Sequence, residues 1–139
     1  METSPAILDF LVNTLHENGY RGYIEGTAVF SAASGFSFYI IGKHESGLQI
    51  RCAVDREQYP DFTSEHVNAF NANYRFIKSY IQEEDIIIET DHIVDFSAEN
   101  AQAICSRAIF LFDGAIGFFR TALTEARREK QTLQKEATT

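Results

Sequence analysis

The feature that most constrains the fold is a stretch of the first half in which apolar residues recur at every second position. They alternate with more polar residues from 48 to 54, and residues 36–41 show the same period. Because successive side chains of a strand point to opposite faces of a sheet, this pattern predicts half-buried strands. Residues 20–30 are predicted to form one long or broken strand with a bend at Gly26, and a turn is expected at 45–47. Three sequential strands with short turns predict an antiparallel meander.

Helical periodicity is found on both sides of this meander. Ser4 and Pro5 favour a helix start, apolar residues then recur every three or four positions as far as Leu15, and Gly19 marks the end. After the meander, Thr63 is predicted to cap a short second helix.

The second half contains a further pair of strands and a long helix. Strand-like patterns occur at 75–81 and 86–96, on either side of an acidic turn at 83–85. Ser97 is predicted to cap the last helix, and the polar residues 131–139 are expected to fray beyond it. The predicted element order is therefore α-β-β-β-α-β-β-α, an α+β fold with an antiparallel sheet.

Composition predicts a single domain over residues 1–130. Of the 139 residues, 45% are hydrophobic, so the chain can bury a core without disulfide bonds or a structural metal. A net charge of −8 argues against nucleic acid as the partner, because phosphate binding needs clustered basic residues. The N-terminal segment lacks the basic start of a signal peptide, and the most apolar stretch, 108–122, is interrupted by Asp113 and Arg120. We therefore expect a cytoplasmic protein that binds neither nucleic acid nor a membrane.

A segment at the end of the second helix carries a resemblance to a known family. Asn68 and Asn71 lead into a strand that contains Arg75, Phe76 and Lys78. This arrangement, followed by a hairpin and a closing helix, resembles the central signature of YbjN domains, which share the fold of the type III secretion chaperones. Unlike the family pattern, the chain has no glycine at the hairpin turn or just before the last helix. The resemblance implies a type III secretion chaperone-like fold. Those chaperones are usually homodimers that bind extended segments of client proteins.

The two asparagines also have an interpretation that does not depend on the family. At positions i and i+3 they share one face of a helix, where carboxamides can bond to exposed peptide groups of a neighbouring strand or loop. A structural role is therefore favoured for Asn68 and Asn71, and a ligand-binding role is the alternative.

The second hairpin is strongly acidic, with six acids and neither Lys nor Arg between residues 83 and 95. Glu89, Asp91 and Asp95 fall on one face of the predicted strand and form an acidic stripe. Alternate residues of a straight strand lie about 6.5–7 Å apart, too far for their carboxylates to converge on a metal ion. The stripe is expected to be solvated or to face a partner, and a metal site is the least favoured alternative.

The last helix is apolar around more of its circumference than one buried face requires. Phe110, Leu111 and Phe118 extend the apolar surface beyond the stripe that is predicted to pack on the sheet. Gly114 and Gly117 thin the helix locally, which suggests close approach by another backbone. Either the helix is fully buried within a monomer, or these five residues form an interface with a second copy or another protein. We favour the interface.

The chain contains no recognisable catalytic motif. Cys52 and Cys105 are its only cysteines and are expected to be buried free thiols. The leading hypothesis is therefore a non-enzymatic protein-binding module, chaperone-like or regulatory. It would be a homodimer without cofactor or metal that acts through its last helix and its sheet edges. The alternative is a small-molecule-sensing regulatory domain with a pocket lined by Phe and Tyr, and an enzyme comes third.

Overall fold

The helices and strands follow one another in an order close to the predicted one. A computed structural model describes residues 4–44 and 47–138. In chain order, the elements are α1 (Pro5–Glu17), β1 (Tyr23–Glu25), β2 (Ala28–Ala33), β3 (Phe36–His44), β4 (Gly47–Asp55), α2 (Ser64–Asn73), β5 (Lys78–Gln82), β6 (Asp85–Ile93) and α3 (Ala101–Thr138). The fold is α+β, as predicted. The turn expected at 45–47 lies mostly outside the described residues.

All the strands pair antiparallel in one six-stranded sheet with the order β1-β2-β3-β4-β6-β5. The central pair is β4 with β6, whose register extends from Gly47 opposite Ile93 to Asp55 opposite Asp85. The meander β1–β4 therefore forms one part of the sheet, and the hairpin β5–β6 completes it through β6.

Segment 20–30 differs from the prediction. It forms the two strands β1 and β2 rather than one, because Gly26 has a φ of +62° and the chain reverses there into a hairpin. The element order is consequently α-β-β-β-β-α-β-β-α. Strand β1 has only three residues, and all of them are exposed.

Four boundaries in the second half also differ from the prediction, and one of them is the end of β6, which lies at Ile93 rather than at 96. Strand β5 begins later because Phe76 has a φ of +68°, which is incompatible with a strand. Ser97 does not cap the last helix: Asp95 Oδ1 accepts its amide (3.0 Å) and its hydroxyl (2.6 Å), and α3 starts only at Ala101. Helix α3 then continues through 131–138, the segment expected to fray.

Helix α3 is the central element of the core. Its rings Phe112 and Phe119 are fully buried and lie 5.9 Å and 6.4 Å, between centroids, from Phe38 and Phe36 of β3. The largest fully buried side chains are Leu11, Leu15, Phe38, Ile40, Leu48, Ile50, Ile86, Ile88, Ile109, Phe112, Ile116 and Phe119. By length and composition α3 could also cross a membrane, a criterion that core helices of soluble proteins meet as well.

The opposite face of the sheet carries one continuous row of side chains across all six strands. The row is set by the strand register and alternates with core positions such as Ile50 and Ile88. It comprises, from β1 to β5, Tyr23, Phe30, Tyr39, Arg51, Glu89 and Lys78. The first three rings pack in sequence, with centroids 5.7 Å and 5.6 Å apart, and the last three residues form an ion-pair cluster.

Candidate functional site

Large apolar side chains remain exposed on the outer face of α3. Phe110 is 70% exposed, Leu111 47% and Phe118 46%, whereas Phe112 and Phe119 on the inner face are fully buried. Four of the five residues predicted to form an interface, these three and Gly114, are therefore exposed in the described chain, and Gly117 is half-buried.

Phe76 adds a fourth exposed apolar side chain beside this helix face. Its ring is 87% exposed, and its carbonyl oxygen accepts the Thr90 hydroxyl at 2.8 Å. A non-glycine residue with a positive φ costs about 1–2 kcal/mol, so the backbone holds this ring outside the core at an energetic cost. The sequence pattern placed Phe76 in a strand, and nothing in the residue type indicates a left-handed conformation.

A groove opens at the two glycines of the outer face. Outside the backbone of α3 itself, no atom lies within 4 Å of the position that a Cβ on Gly114 would take, and the nearest such atom at Gly117 is Ser34 Oγ at 3.6 Å. The close approach of another backbone predicted for these glycines is therefore not made within the described part of the chain. The groove has a volume of about 410 Å³. Its lining is mostly apolar and includes Tyr74, Phe76, Ile77, Phe110, Leu111, Gly114 and Gly117, and its polar members are Ser34, Arg75, Thr90, His92 and Asp113.

The end of α2 supports the groove from the side. The ring centroid of Phe118 lies 4.9 Å from that of Tyr74 and 6.1 Å from that of Phe70, and the last two rings stack at 5.2 Å. Side chains from α2, from the loop after it and from α3 thus form one exposed cluster. We call Tyr74, Phe76, Phe110, Leu111 and Phe118 the aromatic surface.

Asn71 closes the outer edge of the sheet. Its Nδ2 donates to the carbonyl oxygen of Ser79 in β5 (2.9 Å), and its Oδ1 accepts the Ser79 amide (2.6 Å). The carboxamide thereby replaces the peptide group of a neighbouring strand, the type of contact considered for both asparagines. The side chain of Asn68 is exposed and has no hydrogen-bond partner within the described chain, so the two residues do not act as a pair.

Glu89 is not part of an exposed acidic stripe, because its side chain is only 4% exposed. Its Oε2 accepts Arg51 Nε and Nη2 and the Tyr80 hydroxyl, each at 2.9 Å, and its Oε1 lies 3.1 Å from Lys78 Nζ. Burial alone would raise the pKa of Glu89, but the hydrogen bonds from Lys78, Tyr80 and Arg51 outweigh it and lower the pKa below its ordinary value.

The other two acids of the predicted stripe are also engaged separately. Asp91 accepts Gln49 Nε2 at 3.0 Å across the β4–β6 pair, and Asp95 lies beyond the end of β6, where it binds Ser97. With Glu89 buried, the three acids do not form the predicted exposed stripe, whereas Asp91 and Asp95 are exposed. The alternation of residues within β6 could not reveal that Arg51 of β4 lies directly opposite Glu89, because strand register is not visible in one segment.

The two cysteines are buried free thiols. Burial raises the pKa of Cys52 to about 12 and that of Cys105 to about 11, so neither supplies a thiolate at neutral pH. Within residues 4–44 and 47–138, no three His, Cys, Asp or Glu side chains are arranged so that they could hold a metal ion.

The fold and the site together define a class: small α+β domains with one antiparallel sheet on a long core helix and an exposed aromatic surface. The crystal structure of YbjN from E. coli, described as a putative transcription regulator, has this fold. It superposes with a TM-score of 0.61 over 88% of this chain and 93% of that chain, at 13% sequence identity. The family model of YbjN, described as a putative bacterial sensory transduction regulator, matches residues 11–125. The chain belongs to the YbjN family. None of the curated proteins matches it.

Proposed function

We propose that this protein is a non-enzymatic regulatory module of the cytoplasm that acts by binding protein through its aromatic surface. The observation that carries the proposal is the exposure of Phe76, Phe110 and Leu111 along one groove, with the exposed Phe118 beside it against the ring of Tyr74. Contiguous apolar surface of this kind is uncommon on soluble domains and marks interaction sites. Burying one such side chain fully contributes about 1.5–3 kcal/mol, so a partner that covers several of them gains substantial affinity.

The free edge of the sheet supports a chaperone-like component of the proposal. Strand β1 is the outermost strand on one side, and its exposed residues include Tyr23 and Ile24, which are 57% and 42% exposed. An extended client segment could add there as a further strand, with main-chain hydrogen bonds providing affinity. At the other edge, β5, Asn71 occupies the peptide groups of Ser79.

Capture of partners by the tagged chain tests the proposal. Phe110→Glu and Phe118→Glu introduce a charge into the aromatic surface, and Leu133→Glu is the matched control because Leu133 is also exposed (65%) on α3 but lies outside it. We expect a stoichiometric partner, either a differently tagged second copy or another protein, to be lost in the first two variants and kept in the third. An unchanged set of partners for both surface variants, with circular dichroism showing that they are folded, would refute the proposal.

The groove itself supports a second candidate function, the sensing of a small apolar molecule. Its volume of about 410 Å³ lies within the range of about 300–1,000 Å³ that is usual for ligand pockets. Thr90 and His92 could orient a ligand by hydrogen bonds. Thermal denaturation with a panel of metabolites tests this candidate: a ligand should raise the Tm, and Gly114→Leu should abolish that rise by filling the groove. A Tm unchanged across the panel would argue against it.

A further inference from the structure

The outer face of α3 has a second pattern, a seam with coiled-coil spacing. Exposed residues recur at alternating intervals of four and three, the spacing of the a and d positions of a heptad. The seam consists of Arg107, Leu111, Gly114, Phe118, Thr121 and Glu125. Because the buried face of α3 already packs in the core, this seam is a separate helix-packing surface that points away from the sheet.

The seam is complementary to itself when its direction is reversed. Residues at equal distances on either side of Ile116 form three pairs: Arg107 with Glu125, Leu111 with Thr121, and Gly114 with Phe118. The first pair combines opposite charges and the last combines a bulky ring with a gap. In antiparallel coiled coils, an a position of one helix faces a d position of the other, which is the pairing found here.

The shape of the surface supports the Gly114–Phe118 pair. The ring of Phe118 contacts Tyr74 of its own chain, with centroids 4.9 Å apart, yet it remains 46% exposed, and outside the backbone of α3 itself no atom lies within 4 Å of the missing Cβ of Gly114. Ring and groove lie four residues apart, about 6 Å along the helix axis. Two copies related by a two-fold axis at the level of Ile116 could therefore place the exposed side of each ring against the other's groove, as an isologous interface requires.

The charges support the same arrangement. Arg107 and Glu125 are both exposed, and in the described chain neither forms an ion pair or a side-chain hydrogen bond. The two-fold axis would bring each of them opposite its complement on the other copy, which gives two intermolecular ion pairs at the ends of the apolar centre.

We propose that the occupant of the groove is a second copy of this chain. The two α3 helices pack antiparallel through their outer faces and cross at the level of Ile116. The exposed side of each Phe118 lies against the groove at Gly114 of the other copy, and Arg107 pairs with Glu125 at both ends. This inference rests on the proposed function, because it names the protein that covers the aromatic surface.

Charge reversal tests the arrangement in the full-length chain. We expect the wild type to sediment as a dimer, and Arg107→Glu or Glu125→Arg to weaken dimerisation at least about tenfold, because each places like charges together twice. An equimolar mixture of the two variants should recover a heterodimer, since both end pairs are then complementary. Asp9→Arg, which makes the same charge change as Glu125→Arg on the exposed face of α1, should leave the dimer unchanged.

The outcomes separate this inference from the proposed function. A monomeric wild type at tens of micromolar would overturn the inference, and so would a dimer that both single variants leave intact or a mixture that does not recover. If the monomeric protein still captures a different partner that Phe118→Glu releases, the proposed function stands and its partner is not a second copy. If Phe118→Glu changes neither self-association nor capture, both are refuted. Circular dichroism and the Tm of each variant establish that the changes do not arise from unfolding.

Discussion

Replacing Glu89 with glutamine should destabilise the protein in a way that depends on pH. The substitution preserves size but removes the charge that binds Arg51, Tyr80 and Lys78. A hydrogen bond to a charged group contributes about 1.5–3 kcal/mol, and Arg51 is only 23% exposed. Lys78 is 61% exposed, so its ion pair adds only a few tenths of a kcal/mol. We therefore expect Glu89→Gln to lower the free energy of unfolding by about 2 kcal/mol at pH 7, or the Tm by about 6–8 °C.

The pH dependence follows from the lowered pKa of Glu89. A carboxyl whose pKa is lower in the folded state contributes stability that is complete above its unfolded pKa, about 4.3, and is lost as the pH falls through the folded value. The variant has no such group. The difference in stability between wild type and Glu89→Gln should be constant near neutral pH and should shrink below about pH 4.

Urea denaturation followed by circular dichroism from pH 7 to pH 3 measures this difference. Glu84→Gln is the matched control, because Glu84 is an exposed acid in the turn of the same hairpin, and it should change stability by less than about 0.5 kcal/mol. Equal stability of Glu89→Gln and wild type at pH 7 would refute the reasoning. A difference that persists unchanged at pH 3 would show that packing, and not charge, is responsible.

Three further predictions concern the sheet edge, the groove and the thiols. Asn71→Ala should lower the free energy of unfolding by about 1–2 kcal/mol because two hydrogen bonds to Ser79 at the edge of β5 are lost. Hydrogen exchange should then show the Ser79 amide unprotected. Asn68→Ala is the control and should have little effect. Gly114→Ala should raise the Tm by about 3 °C in dilute protein, since alanine is favoured by about 1 kcal/mol in a helix and its Cβ meets no atom within 4 Å. The same methyl group should weaken self-association measured by sedimentation. Cys52 and Cys105 should resist a thiol reagent in the folded protein and react only in denaturant; fast labelling of the native protein would contradict their burial.

The sequence predicted the elements wherever local pattern determines them. Alternation at 48–54 identified β4, and helical spacing identified α1 and the inner face of α3. An element that is buried on one side repeats its apolar residues with the period of a strand or a helix, and this repeat is visible within the segment itself. Gly26 was recognised as a break, but the residue alone does not distinguish a bend within one strand from a hairpin turn.

The site was predictable only in part, because it depends on contacts between distant segments. The excess of apolar residues on α3 correctly drew attention to Phe110 and Phe118, since no second packing face was available within so small a domain. The position of Phe76 depends on a backbone conformation that its residue type disfavours. The role of Glu89 depends on the register of β4 with β6, which brings Arg51 opposite it and converts an apparently solvated acid into a buried one.

The closed edge at β5 has a consequence for aggregation. Growth of a fibre by strand addition requires two open edges on every molecule, one to receive a neighbour and one to offer to the next. Because Asn71 occupies the backbone of β5 at Ser79 and β1 is the other edge of the described sheet, growth by strand addition alone should stop once two β1 edges have paired. The carboxamide of Asn71 thus deprives each molecule of a second strand edge for fibre growth.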